Sequence, residues 1–370
     1  MNEIDNKYIE NAISHLFSTV GLKEPISDQK IISLIHSRKT KEAIKEIAKC
    51  LGLPIEINLS YVPKGYNPNS NDGFQSKHLV KTDWRGRGTS GITAQVSIPS
   101  YLPFYGTPGM VNFPISVRVS ENCNENPSTL IAVMAHELSH IVLHSLWHKE
   151  KENEFYTDLT AMMLGFGDVM KVGRKVIKTD SFTEHGILSS KTTTTTQTTT
   201  YGYLSDDNFN YAYSRIQGIL DDHRKGKRKM VKKIKQFEKI IKKQKIELSY
   251  FKKYLSYLDQ NLNQKISHQD GAWISTFHQT GYTDDFESAM RKMESEIKNF
   301  KSFINNLNHY SESRLEDIKK FEINLKPLAG DLNSKYDRVR GAVIILKKYV
   351  SIPYRFRSFI GAQLPLRVQH

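Results

Sequence analysis

The chain has 370 residues, 38% of them hydrophobic and 25% charged, and its formal net charge is +14. This size predicts two or three domains with a real core. The polar start Met1–Asp5 lacks the apolar core of a signal peptide, and no apolar run approaches the roughly 18 residues of a membrane span. The two cysteines, Cys50 and Cys123, predict no disulfide framework, so we expect a cytoplasmic protein with free thiols.

Residues 1–52 are predicted to form an N-terminal helical segment. Apolar side chains recur there three and four residues apart, as on one face of a helix. From residue 53 onward the period changes to two, which is typical of half-buried strands. We predict three such strands before the next helix. The helix face comprises Ile44, Ile47, Ala48 and Leu51, and the strands lie at about 55–59, 92–98 and 115–119.

The next segment has the pattern His-Glu-x-x-His inside an apolar run, Leu130–Leu146. An Asn-Pro pair just before the run is typical of a helix start, so the run is predicted to be a buried helix. On such a helix His136 and His140 lie one turn apart, where two imidazoles can share one Zn²⁺ and Glu137 can reach a metal-bound water. The alternative is an ordinary core in which the histidines are hydrogen-bonded.

A catalytic zinc site needs a third protein ligand and an open position for water. Glu154 and Asp158 lie one turn apart on a second predicted helix. The first carboxylate can bind the metal, and the second can accept the free N–H of a ligating histidine. This pair predicts that the second helix packs against the first and completes the site.

Other nearby residues are weaker candidates for the third zinc ligand. Glu152 lacks a carboxylate four residues later, and Leu146 stands where a metzincin has its third histidine. His144 and His148 continue the one-turn ladder, but their direction drifts along the helix. We interpret both as structural or surface groups, with His144 as the candidate to lie near the site.

A threonine-rich tract covers about residues 185–202 and holds eight threonines around Gln197. The favoured interpretation is a mobile surface loop. A hairpin strand and a lid over the site are the alternatives. Ser205 is then predicted to cap a helix with an acidic first turn that runs to about Leu220.

These segments resemble the gluzincin class of zinc metallopeptidases, the thermolysin-like group that combines HExxH with a downstream glutamate. The chain looks most similar to compact bacterial members with His-Glu-Leu-x-His, then Glu-x-x-Thr-Asp-Leu, then Gly-Tyr-Leu. The resemblance covers about residues 110–220, and the segments here are 136–140, 154–159 and 202–204. It implies these roles: His136, His140 and Glu154 as zinc ligands, Glu137 as general base, and Asp158 as the partner of a ligating histidine.

Two departures from the pattern stand out. Ser139 occupies a position where such helices often have glycine, and the threonine tract interrupts the region before Gly202. The group that stabilises the oxyanion is not identified by the resemblance. The candidates are Tyr201, Tyr203, His185 and the other histidines. A peptide substrate could pair with an exposed sheet edge near the metal, and the segment 112–120 is the expected edge.

From about Asp222 apolar residues follow an alternating 4/3 spacing on two segments, separated by a turn within His268–Tyr282. An antiparallel coiled-coil hairpin over 222–327 is the simplest arrangement, and intermolecular pairing into an oligomer is the alternative. A basic C-terminal helix and tail are expected over 328–370. The apolar positions are Met230, Ile234, Phe237, Ile241, Leu248, Phe251, Leu255, Leu258 and Leu262, with Gln244 in the one polar slot, and then Phe286, Met290, Met293, Ile297, Phe300, Ile304 and Leu307.

Positive charge is concentrated in this second half. Residues 222–265 hold 15 lysines and arginines against four acidic residues, and the tail after Asp337 holds seven against none. The basic regions 222–265 and 338–367 suit nucleic acid, an acidic protein or anionic lipid. A solvated coiled-coil face looks the same, so the partner stays open.

The sequence thus predicts an α+β fold. A compact zincin-like domain (53–221) with a small mixed sheet, an HExxH helix and an ExxxD helix would carry the appended hairpin. The predicted function is a zinc metallopeptidase that cleaves a peptide or protein substrate through a zinc-bound water activated by Glu137. The alternative is a nucleic-acid-binding or scaffold coiled-coil protein with a structural or vestigial zinc site. A structural site would use a fourth protein ligand and needs no base.

Overall fold

The computed structural model describes residues 5–64, 66, 81–83, 94–185, 190–265, 272 and 281–346. The chain is mostly helical α+β with small sheets, and it divides into two compact units. Unit 1 comprises the chain up to Asp221 together with Asn308–Glu312. Unit 2 comprises Asp222–Leu307 and the chain from Ser313 onward. No helix in the described part of the chain is long and apolar enough to span a bilayer.

Unit 1 begins with three helices, within the segment that the sequence predicts to be helical. The helix face expected from the apolar spacing belongs to α3, and all four of its side chains are fully buried. A short strand β1 follows the first helix and pairs antiparallel with β8, which returns from much later in the chain. The bounds are α1 (Asn6–Thr19), β1 (Leu22–Lys23), α2 (Gln29–His36), α3 (Thr40–Leu51) and β8 (His309–Tyr310).

A three-stranded mixed sheet confirms the predicted strands. Its order is β2 (Glu56–Val62), β5 (Pro114–Ser120) and β4 (Ala94–Val96), with β2 parallel and β4 antiparallel to β5. Residues 92 and 93 of the predicted second strand lie outside the described residues. The expectation that 112–120 forms the substrate-binding edge is wrong. This strand is central, with hydrogen-bonded neighbours on both sides, and its apolar residues Ile115, Val117 and Val119 are all buried.

Helix α4 (Pro127–Ser145) is the buried helix predicted from the apolar run. The Asn126 side chain accepts a hydrogen bond from the Thr129 N–H and caps the helix, and Pro127 occupies its first position. Helices α3, α5 (Glu154–Ala161) and α6 (Gly167–Gly173) pack around it. A helix that is apolar on nearly every face needs such neighbours. The turn 162–166 between α5 and α6 is a π-helical segment.

The threonine-rich tract forms a strand. β6 (Lys175–His185) and β7 (Ser190–Thr200) make an antiparallel hairpin. The short strand β3 (Lys81–Asp83) pairs with the C-terminal end of β7, at residues 198–200. The favoured loop interpretation is therefore wrong over Ser190–Thr200, and the hairpin alternative is right. The physical reason is that β-branched threonine has restricted side-chain rotamers that suit a strand. Residues 186–189 lie outside the described residues.

Helix α7 (Asp206–Lys265) begins at the predicted cap, where the Ser205 hydroxyl accepts a hydrogen bond from the Asn208 N–H. The expectation that this helix ends at about Leu220 is wrong. The helix is continuous from Asp206 to Lys265, a total length of 60 residues. No proline interrupts this part of the chain, and the glycines within it, Gly218 and Gly226, reduce helix stability without ending the helix.

Unit 2 holds the long part of α7 with α8 (Tyr282–Asn305) and α9 (Glu312–Leu346, from Ser313 onward in this unit). The heptad seam is confirmed wherever side chains are described. Gln244 and most apolar positions of the two segments are buried, while Met230 and Phe237 are half-buried. The side chains of Phe251, Leu255, Leu258 and Leu262 lie outside the described residues, and so do residues 266–271 and 273–280, where the turn is predicted.

Ion pairs establish that α7 and α8 run antiparallel, because later residues of α7 meet earlier residues of α8. Lys245 lies 2.7 Å from Glu294, and Lys252 lies 3.0 Å from Glu287. The sequence analysis did not foresee that α9 adds a third buried row to this pair. Helix α9 runs through Pro327, the last residue of the predicted hairpin. Its buried residues are Ile318, Leu325, Ala329, Leu332, Asn333, Tyr336 and Val339. The predicted tail beyond residue 346 lies outside the described residues.

Candidate metal centre

Three predicted ligands meet at one point in unit 1. His136 and His140 lie one turn apart on α4, and Glu154 is the first residue of α5. Glu154 Oε2 lies 3.1 Å from His136 Nε2 and 3.2 Å from His140 Nε2. One ligand atom from each residue lies within 4.8 Å of the other two. The three side chains could therefore hold a metal ion.

The burial of these groups fits that assignment. His136 and His140 are only 2% and 4% exposed, whereas the Glu154 side chain is 30% exposed. The Nε2 atom of His140 is buried and makes no hydrogen bond. A buried polar atom without a hydrogen bond is rare and needs an explanation such as a bound ion. Two imidazoles and one carboxylate are a donor set that suits zinc.

Asp158 holds His136 from behind, as predicted. Its Oδ1 accepts a hydrogen bond of 2.7 Å from His136 Nδ1, which leaves Nε2 directed at Glu154 and His140. The other carboxylate oxygen, Oδ2, accepts the backbone N–H groups of Tyr203 at 2.8 Å and Leu204 at 3.2 Å. Asp158 therefore joins the ligand histidine to the turn that precedes α7.

Thr157 plays the corresponding part for the second histidine, and the sequence analysis missed it. Its hydroxyl donates to the Asn153 carbonyl at 3.2 Å, and its oxygen lies 3.4 Å from His140 Nδ1. Because the hydroxyl proton is used, the oxygen can accept the Nδ1–H of His140. That tautomer leaves the Nε2 lone pair for a metal ion. Helix α5 thus carries one candidate ligand and contacts the imidazoles of both others.

The electrostatics of the cluster keep Glu154 ionised. Burial alone would raise the pKa of Glu154, but a hydrogen bond from His136 and the charge of His136 and His140 lower it to about 2. Burial would likewise lower the pKa of His136, and the Asp158 carboxylate, with Glu154 and Glu137, raises it to about 10 instead. The three carboxylates thus favour a positive charge at this point of the cluster.

Glu137, the predicted base, follows a ligand directly on α4 and is fully buried. Its charge acts on the same groups, since it contributes to the raised pKa of both His136 and Tyr203. The Tyr203 ring stacks on the His136 ring, with centroids 5.6 Å apart and planes at 22°. Of the oxyanion candidates, Tyr203 thus lies against the cluster. The side chain of His185 lies outside the described residues.

The structure explains why glycine begins the Gly-Tyr-Leu segment, which is a weak signal by itself. Gly202 has φ +96°, a left-handed conformation that favours glycine, and a Cβ there would meet Asp158 Oδ2 at 3.3 Å. The turn therefore brings the N–H groups of the next two residues onto Asp158. The Gly-Tyr-Leu motif is therefore explained by backbone N–H groups that donate to Asp158. A pattern of side-chain types does not reveal such donors.

Arg174 anchors this turn and was missed by the sequence analysis. The side chain is 7% exposed, and its Nη2 donates to the Leu204 carbonyl at 2.6 Å and pairs with Asp206 at 3.4 Å. The Arg174 carbonyl accepts the Tyr201 N–H at 2.7 Å. Burial lowers the pKa of Arg174, and the neighbouring Asp206 and Asp158 carboxylates oppose that effect. One arginine among 53 basic residues carries no recognisable signal in the sequence.

The weaker sequence candidates lie apart from the cluster. His144 Nε2 and Glu152 Oε1 form their own pair at 3.4 Å, and neither belongs to the group of ligand atoms. The His148 ring contacts the His15 ring, with centroids 4.7 Å apart. The interpretation of His144 and His148 as groups outside the ligand set agrees with this arrangement.

In comparisons with models of protein families, with curated proteins and with solved structures, nothing matched the chain. The function is therefore inferred from the geometry of the cluster.

Proposed function

We propose that this chain is a zinc-dependent metallopeptidase of the gluzincin type. The observation that carries the proposal is the convergence of ligand atoms from His136, His140 and Glu154 within 4.8 Å of one another. Catalytic zinc sites combine three protein ligands of this kind with one position open to water or substrate. The partial exposure of Glu154 supports such an opening, because it leaves the cluster within reach of solvent.

When bound, a zinc ion would lower the pKa of water and polarise a carbonyl group. Asp158 and Thr157 would hold the two imidazoles with their Nε2 atoms toward the ion. Glu137 would accept the proton of the attacking water and return it to the leaving amine. Its place directly after His136 and its complete burial support that role, because a base held by its surroundings needs little reorganisation.

The alternative is a structural or vestigial metal site in a scaffold protein. A structural zinc site closes its coordination with a fourth protein ligand. Among the described residues, the cluster consists of two histidines and one glutamate, without a fourth histidine, cysteine or acid within the same distance. The choice of a peptide as substrate rests on the gluzincin resemblance, and the donor set by itself supports metal-assisted hydrolysis.

Metal analysis of the purified full-length chain tests the site. We expect about one zinc per chain. A double variant, His136→Ala with Glu154→Ala, should lose the zinc. The matched control Glu152→Ala, on the alternative carboxylate nearby, should keep it. Full zinc occupancy in the double variant would contradict the ligand assignment.

Cleavage of a peptide library, with products identified by mass spectrometry, tests the activity. Glu137→Gln should keep the zinc and lose cleavage by roughly 10²- to 10⁴-fold, because an amide cannot accept the proton of the attacking water. Cleavage by Glu137→Gln at the parental rate would show that Glu137 is not the base. A zinc-loaded parent without any cleavage would favour the structural-site alternative.

A further inference from the structure

Helix α7 carries a row of basic residues within unit 2, here called the basic stripe: Arg228, Lys232, Lys235, Lys239 and Lys242. Their spacing alternates between four and three residues, so they share one face of the helix. All five side chains are exposed. The buried seam of α7, with Ile234 and Ile241, follows the same spacing two residues out of step, which is about 200° around the helix. The basic stripe therefore lies opposite the seam.

Lysines that flank the seam differ from the basic stripe because they are neutralised by acids within the bundle. Lys233 pairs with Glu322 at 3.4 Å, Lys245 pairs with Glu294 at 2.7 Å, and Lys252 pairs with Glu287 at 3.0 Å. Among the described residues, no ion pair neutralises a member of the basic stripe. These acidic residues of the bundle therefore pair with lysines beside the seam, and the face of α7 opposite the seam stays positive.

The surroundings of the basic stripe reinforce this charge. Residues 223–237 contain eight lysines and arginines and no acidic residue. The first acid after them, Glu238, forms an ion pair with Lys301 at 2.7 Å. An ordinary solvated helix face mixes charges of both signs, as the outer positions of coiled coils usually do. A row of one sign repels itself unless an external anion compensates it.

We propose that the basic stripe binds the phosphodiester backbone of nucleic acid without reading its sequence. The row spans 14 residues, or about 21 Å at 1.5 Å per residue. Each strand of a duplex carries one phosphate per about 3.4 Å of the duplex axis. A row of this length therefore spans about six phosphates of each strand along that axis, and neutralising phosphates releases condensed counterions, which drives binding.

Two other polyanions fit the surface less well. A helix that binds a membrane inserts an apolar face, and the apolar face of α7 is buried in the bundle through Ile234, Ile241 and Leu248. A protein interface gains most of its affinity from buried aromatic or arginine anchors. Between residues 228 and 242 the only aromatic residue is Phe237, which belongs to the seam.

Titration of the full-length chain with a labelled 30-base-pair duplex at two salt concentrations tests the proposal, with single-stranded DNA and RNA of equal length as separate arms. The stripe variant carries Lys232→Glu, Lys235→Glu, Lys239→Glu and Lys242→Glu. We expect the parent to bind with log K falling by about four per unit of log salt, since about five phosphates are neutralised. The stripe variant should bind at least about 100-fold more weakly at low salt, because four phosphate contacts become repulsive.

The matched control variant reverses four exposed lysines elsewhere in unit 2 and has the same net charge: Lys292→Glu, Lys319→Glu, Lys320→Glu and Lys326→Glu. Its affinity should stay within about tenfold of the parent, because the charges lie off the stripe. Equal losses in the stripe and control variants would overturn the proposal, because binding would then follow net charge alone. A parent that binds none of the three nucleic acids would overturn it as well.

Two further measurements guard the interpretation. Circular dichroism should show that the stripe variant keeps its helix content. If it does not, substitution of the same four lysines by glutamine replaces it, and that variant should still lose at least about tenfold in affinity. Vesicles with 30% phosphatidylserine form the last arm. A parent that binds these vesicles more tightly than any nucleic acid would reject the proposal in favour of a lipid surface.

Discussion

The two units use ionisable residues in opposite ways. In unit 1, His136, Asp158 and Arg174 are buried, and each meets a partner that orients it. In unit 2, lysines and glutamates lie mostly at the surface, around a seam that is largely apolar. Burying a charge is costly without partners, so the first arrangement is suited to a preorganised site. The second leaves charge accessible to a large external partner.

If this contrast is right, damage to the seam should leave the metal cluster intact. Phe286→Ala removes a fully buried ring from α8 and should destabilise unit 2 by about 3–5 kcal/mol. Zinc content should not change, because all three ligands lie in unit 1. Urea unfolding followed by circular dichroism measures the first effect, and metal analysis measures the second. Ile323→Ala, at a position that is 68% exposed, is the control. Loss of zinc in Phe286→Ala would show that the two units depend on one core.

The contrast also explains how much of the site could be predicted from the sequence. His136 and His140 are one helical turn apart, and so are Glu154 and Asp158, so local spacing reveals each pair. Arg174 and the backbone N–H groups of the Gly-Tyr-Leu turn act across tertiary contacts. No periodicity encodes them, and backbone donors have no residue type to recognise.

The fold was predictable for a similar reason, where a repeating pattern extended over several turns or strands. The heptads of α7 and α8 and the alternating strands of the mixed sheet follow from periodicity alone. The position of β5 in its sheet does not, because strand order depends on which partners pair on each side. The threonine hairpin was not the favoured prediction because the low complexity of the tract suggested a loop, although threonine itself favours strands.

The buried partners of the ligands should matter next most. Asp158→Asn should lower zinc affinity by roughly 10- to 100-fold, because an amide holds the His136 N–H more weakly than a carboxylate does. Competition with a chromophoric chelator measures the affinity. Asp168→Asn is the matched control, since Asp168 is exposed and bonds only a tyrosine hydroxyl. An unchanged affinity in Asp158→Asn would remove Asp158 from the site.

Among the described residues of unit 2, Glu247 is the one buried carboxylate, and it predicts a dependence on pH. Glu247 is 4% exposed, and burial raises its pKa to about 7 although Tyr336, Lys243 and Arg340 oppose the shift. The folded state therefore binds a proton more tightly than the unfolded state. Stability should fall as pH rises from about 4.5 to about 7, by about 2–3 kcal/mol, and change little above that range.

Glu247→Gln removes the titrating group and should abolish this slope. The difference between the urea midpoints of the parent and the variant, measured at pH 5 and at pH 8, isolates the contribution of Glu247. Glu296→Gln, a carboxylate on α8 that is half-buried, serves as the control. A parent and a Glu247→Gln variant with the same pH profile would show that the carboxylate is solvated in the folded protein.

The smallest effect should come from Arg174, which acts on the ligands only through the Leu204 turn and Asp158. Arg174→Met should lower zinc affinity by roughly threefold, less than Asp158→Asn, because the loss passes through two further hydrogen bonds. Arg174→Lys should recover only part of that loss, since a compact ammonium group does not reproduce the position of the Nη2 atom with which arginine meets both Leu204 and Asp206. The absorption spectrum of the cobalt-substituted protein provides a second readout, because it reports ligand geometry rather than overall stability. A Met variant with parental affinity and spectrum would show that the turn positions Asp158 without help from Arg174.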